Sequence, residues 1–190
     1  MTKPDDIRSM LSQGRGRIEV GRAEEVADLI RKQAKMANRL IECLWDKDPG
    51  VSNRAAHALE KITRDGLAAL DPVVAVILDS SKPSLLGLLA EATELTEAKL
   101  RWHLALIVPR LRLTVPECHR AAQALESWLE DRSSIVGTMA MQGLYDLIRL
   151  DPSLLPHVLD LLRIHSRTGT PAMRARGRRL LQILEPAGEE

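Results

Sequence analysis

The chain has 190 residues, 45% of them hydrophobic and 28% charged, with a formal net charge of +1. That balance suits one domain or one short repeat array with a real core, and it excludes a disordered chain. A charge so near zero argues against a dedicated nucleic-acid binder, because phosphate neutralisation leaves such proteins with a basic excess.

Aromatic residues make up only 2%: three Trp, one Tyr and no Phe. Strands favour aromatic and β-branched side chains, so a core of Leu, Ala, Ile and Met points to helices. No run approaches the roughly 18 apolar residues that a membrane span needs. The stretch from Met1 to Leu11 carries Asp5 and Asp6 and lacks the apolar run of a signal peptide, so a cytoplasmic location is expected. Cys43 and Cys118 lack metal-type spacing and are expected to be buried thiols, not a disulfide.

In chain order, residues 1–21 stand apart as an N-terminal extension or cap. Pro4 to Leu11 suits a short helix, and Gln13-Gly14-Arg15-Gly16-Arg17 a flexible link in which Arg15 and Arg17 are solvated. Ala23 to Trp45 places Val26, Ile30, Ala37, Leu40, Ile41 and Leu44 at helical spacing, as one long helix or two broken near Gln33. Asp48-Pro49-Gly50-Val51 then opens a helix whose apolar stripe is Val51, Ala55, Ala58, Leu59 and Ile62. Pro72 to Asp79 reads as a shorter helix, followed by an additional stretch, Ser80 to Glu97. The stripe returns as Leu100, Leu104, Ile107, Val108 and Leu111, again as Val136, Ala140, Gly143, Leu144 and Leu147, and finally as Met173, Gly177, Leu180, Leu181 and Leu184. Pro116 to Glu130 and Pro152 to Ile164 supply the helices between, and residues 186–190 form a tail. Asp71-Pro72, Asp151-Pro152 and Thr170-Pro171 each place a capping side chain before a proline that suits a first helical turn. Thr114 and Glu117 have the spacing of a reciprocal capping box. No segment alternates as a strand would.

The stripe anchors Val51, Leu100, Val136 and Met173 lie 49, 36 and 37 residues apart, and the last two intervals each fit one helix pair. One pair cannot hide all its apolar flanks, so neighbouring pairs must cover one another. The Asp-Pro-Gly-Val turn with its Ala- and Leu-rich helix, and the later period, resemble the HEAT-repeat family over roughly residues 23–184. The resemblance implies an all-α fold: a right-handed α–α superhelix, HEAT/armadillo-like, of about four helix pairs spanning 22–185. It also implies that the second helices of successive pairs line a concave side.

Opposite the stripes, that side would carry Arg54 and His57; Arg101, Trp102 and His103; Gln142; and Arg174, Arg178 and Arg179. Asn53, Lys61, Leu106, Arg110, Thr138, Met139, Tyr145, Ala175 and Arg176 lie beside them. Trp102 is either an interaction anchor, since Trp and Arg are enriched at hot spots, or packs sideways on the next pair. Leu161 to Leu184 holds six arginines and no acid, which suits an anionic partner or a solvated end cap. No two of the five histidines have the spacing that puts both imidazoles on one helix face, and no phosphate loop or nucleophile elbow appears. Neither a metal nor another cofactor is expected, and no catalytic residue is assigned.

The leading expectation is a non-catalytic interaction or scaffold module for a protein or peptide, of open oligomeric state. The alternative is a nucleic-acid-binding or DNA-glycosylase-like solenoid using Trp102 and the C-terminal arginines. Some alkyl-purine glycosylases resemble HEAT solenoids and use Trp, Arg and an acidic residue. Here the projected track places no carboxylate beside Trp102.

Overall fold

The computed structural model describes residues 7–14, 19–69, 72–92 and 97–185, which form helices and turns with no strand among them. The helices are α1 (Ile7–Ser12), α2 (Ala23–Lys32), α3 (Ala37–Glu42), α4 (Pro49–Ala69), α5 (Pro72–Glu91), α6 (Ala98–Ile107), α7 (Val115–Ser127), α8 (Ser134–Ile148), α9 (Leu155–Thr168) and α10 (Pro171–Leu184). Among the described residues, no helix is long and apolar enough to cross a membrane. The expected link at Arg15 and Arg17, the Asp71 cap and the 186–190 tail lie outside the described residues.

The chain divides into two compact units, one formed by residues 1–85 with 110–112, the other by 86–109 with 113–190. In the first unit α4 is the central element, and α1, α2 and α3 all pack on it. Its predicted stripe, Val51, Ala55, Ala58, Leu59 and Ile62, is fully buried, against Ile7, Leu11, Val26 and Ile30. The segment Ala23 to Trp45 is two helices, interrupted at Gln33, whose N–H bonds back to Leu29 and Ile30. Gly21 turns the chain into α2 at φ 52°, a left-handed conformation that a β-carbon disfavours.

In the second unit α8 is central, contacting α6, α7, α9 and α10. Val136, Ala140, Leu144 and Leu147 face inwards with Leu104, Ile107, Leu125 and Val158. Gly143 permits the close approach of α6 and α8: a β-carbon there would lie 2.5 Å from the carbonyl oxygen of Ala105. Cys43 and Cys118 are free, buried thiols, and burial pushes the Cys118 thiol up.

One local expectation needs correction. The helix beginning at Pro72 does not stop at Asp79; it runs through Pro83 to Glu91. An interior proline removes a backbone hydrogen bond at a cost of about 3 kcal/mol. Burial of Leu85, Leu86 and Leu89, each at most 1% exposed, offsets that cost, so tertiary packing overrides the local stop signal. At Thr114 the expected capping box forms: the Thr114 hydroxyl oxygen accepts from the Glu117 backbone N–H, and the Glu117 carboxylate accepts from the Thr114 backbone N–H at 2.7 Å and from its hydroxyl at 2.8 Å. The other expected caps at Asp151 and Thr170 are made, to the N–H groups of Ser153 and Met173.

Candidate functional site

The predicted contacts divide between the units. In the first, Arg54 is only 2% exposed, because it stands among the buried faces of α4. Its Nε donates to the carbonyl oxygen of Leu11, and its guanidinium lies close to Gly14 and Gly50. It therefore tethers α1 and is no surface contact. His57, three residues on, is partly exposed. Arg110, expected beside Trp102, belongs to this unit instead. It donates to Thr63 Oγ1 at 3.0 Å and pairs with the buried Glu60 carboxylate at 3.0 Å. Burial alone would raise the Glu60 carboxyl, but hydrogen bonds from Arg64 and Arg110 and the charge of Arg110 hold it below the usual range.

In the second unit Arg101 is also removed from the surface. It makes a bidentate pair with Asp131, with both hydrogen bonds at 3.0 Å, and the two side chains are 4% and 2% exposed. The Arg101 guanidinium thus ties α6 to the turn that starts α8. The fold thus brings the Asp131 carboxylate to the residue preceding Trp102, where the pairing with Arg101 occupies it. His103 is fully buried, with Nδ1 2.7 Å from the carbonyl oxygen of Lys99. Arg54, Arg101 and His103 are structural struts: a helical position beside the core stripe buries a long side chain whenever a partner lies within reach.

What remains is a face on the second unit. Trp102 is partly exposed and stacks on the His103 ring at 3.6 Å between centroids and 22° between planes. Leu106 continues its stripe on α6. On α8, Ile135, Met139, Gln142 and Arg149 follow at helical spacing, and Tyr145 lies beside them; Ile135 is 53% exposed. Gln142 donates to Asp146 at 2.8 Å and accepts from Arg176 of α10 at 2.7 Å, a polar link that puts the exposed sides of α8 and α10 on one surface. Arg179 and Ile183 extend the Arg176 stripe, and Ile183 is 54% exposed. Arg178 is exposed too, whereas Arg174 is partly buried and donates to the Gly169 carbonyl at 3.0 Å. Thr138, expected on this face, is buried and bonds to the Ser134 carbonyl at 2.6 Å.

The expected contacts Trp102, Gln142, Arg178 and Arg179 are thus surface residues of one unit, and Ile135 and Ile183 add apolar area that sequence reasoning missed. Both isoleucines sit seven residues from a partner on the face, Ile135 from Gln142 and Ile183 from Arg176, so projecting the outward stripe as fully as the inward one would have found them. Asp131 was also missed. It stands five residues before Val136, as Asp46 stands five before Val51, and both accept from the N–H two residues on, at 2.8 and 2.9 Å. Each then receives an arginine from a neighbouring helix: Arg101 reaches Asp131, and Arg8 reaches Asp46 at 2.6 Å. That hydrogen bond from Arg8, helped by the Asp48 N–H, holds the Asp46 carboxyl below the usual carboxylate range. Asp151 repeats the theme with the Ser153 N–H and His119.

Among the described residues, no group of three His, Cys, Asp or Glu side chains is placed to hold a metal ion. The face offers large apolar side chains, amides and guanidinium groups; it can bury apolar area and pair with anions.

No family model matches the sequence, and no curated protein matches it. Among solved structures, the chain resembles two engineered proteins. One superposes with a TM-score of 0.60 at 15% identity, covering 93% of this chain and 76% of the other. The second gives 0.61 at 18% identity, over 95% and 80% respectively. At such identities the likeness concerns the fold alone, and the fold is all-helical.

Proposed function

We propose that the chain is a HEAT-like helical-repeat module that acts by binding a protein or peptide, with the exposed face of α6, α8 and α10 as its contact surface. The stripe that recurs at 36 and 37 residues, and the repeated Asp turn before Val51 and Val136, support the repeat reading. The observation that carries the functional reading is the partly exposed Trp102, in one unit with the partly exposed Leu106, Met139 and Tyr145 and the exposed arginines of α10. Side chains of this kind supply most of the energy at interfaces, because they bury large area with few rotamers to freeze.

The test is selection of peptides from a random display library on the full chain. The chain retains peptides, and Trp102→Ala weakens the best of them about tenfold while Trp102→Phe and Trp45→Ala do not; a tenfold loss corresponds to about 1.4 kcal/mol, a modest hot spot. Retention that is indifferent to Trp102→Ala, with helical content unchanged, removes this face from the reading.

A further inference from the structure

Among the described residues, the arginines of α10 form no ion pair with a carboxylate, unlike several arginines elsewhere in the chain. Arg8, Arg22, Arg31, Arg64, Arg101 and Arg110 each pair with a carboxylate within 3.0 Å. Among the described residues of α9 and α10 only Arg163 does so, with Asp160 and Glu185. Arg174 and Arg176 donate to a carbonyl and an amide oxygen, neutral acceptors that leave the positive charge uncancelled. Arg178 and Arg179 are exposed and form no ion pair with any described residue, and α10 contains no acidic residue at all. The C-cap of α8 adds the exposed Arg149. Arg179 lies one turn from Ile183, and Arg176 reaches Gln142, one turn from Met139, so apolar side chains alternate with these charges.

From this juxtaposition we propose that the partner of the α6–α8–α10 face is an acidic amphipathic peptide segment. Its carboxylates pair with Arg179 and, at the edge of α10 away from α8, with Arg178, while its apolar side chains rest on Trp102, Met139 and Ile183. The proposal rests on the reading of this face as a binding surface and adds the chemical class of its partner. Guanidinium groups suit carboxylates because their forked donors meet both oxygens, and like-charged partners are rejected by the same field. Neighbouring helices pack at about 8–10 Å, so three of them offer about 20 Å, the length of a 13-residue helix at about 1.5 Å per residue. Phosphate backbones are a poorer match. Neutralising them takes a continuous run of cations, whereas Asp146 and several apolar side chains interrupt this one.

The library selection, sequenced, provides the test. The expected winners combine Asp or Glu with Leu, Trp or Phe. Their affinity falls at least about tenfold in Arg178→Glu/Arg179→Glu, and falls again between roughly 0.05 and 0.5 M salt. Arg178→Lys/Arg179→Lys retains most of it. Both residues are exposed and unpaired with described residues, so the reversal leaves the helical signal intact. Winners that need Trp102 but are neutral or basic, or that ignore the reversal, overturn the acidic-partner proposal and leave the binding face standing. A chain that retains no peptide overturns both. A duplex DNA of about 20 base pairs that binds more tightly than any winner, and loses affinity in the same double variant, overturns the proposal in favour of nucleic acid.

Discussion

At the scale of single residues, the outward positions of a helix sort by reach. Arg101 and Trp102 are adjacent in sequence, yet one is sealed against Asp131 and the other stays partly open. A strut of this kind has a different mutational signature from a contact. Removing one partner of a buried pair strands the other charge, at a cost of about 3–5 kcal/mol. Arg101→Met should therefore lower stability by that order in denaturant unfolding. Arg101→Met/Asp131→Asn should recover at least about 1 kcal/mol of the additive loss, since the carboxylate left behind is neutralised while its acceptor for Ser133 remains. If Arg101→Met leaves the unfolding midpoint unmoved, Arg101 is not a strut. The sequence hides this distinction because the acceptor lies 30 residues away and one turn beyond the next helix.

At the scale of elements, helices were legible wherever an apolar stripe and a cap agreed. Helices α4 and α10 carry both, α8 carries the stripe alone, and the predicted positions Val51, Val136 and Met173 are all buried. Helix α5 was misread because its signals conflict. Pro83 is a stop at the level of propensity, while Leu85, Leu86 and Leu89 reward continuation only once their neighbours are in place. Local rules weigh the first and cannot see the second. The proline is exposed and contributes no packing, so Pro83→Ala restores the missing backbone bond and should raise stability by about 1–3 kcal/mol. A fall in the thermal midpoint of this variant would mean that α5 depends on the proline bend.

At the scale of the whole molecule, the all-helical fold and its inward stripes were readable but the division of the outward residues was not. Periodicity reports which residues face inwards; it treats everything else as one outward set. The structure separates that set into tethers such as Arg54, buried ion pairs such as Arg101 with Asp131, and a smaller exposed face on the second unit. The chain carries its own reporters for that face, because its three tryptophans occupy three environments. Trp45 is 49% exposed in the first unit, Trp128 is buried with its indole N–H on the Ala92 carbonyl at 3.3 Å, and Trp102 lies on the proposed surface. The most direct measurement is a titration of the isotope-labelled chain with the best library peptide, following the three indole N–H resonances assigned by Trp→Phe variants. The account predicts that the Trp102 signal shifts in a saturable manner while those of Trp45 and Trp128 stay in place. Saturable movement of Trp45 with a stationary Trp102 would contradict it.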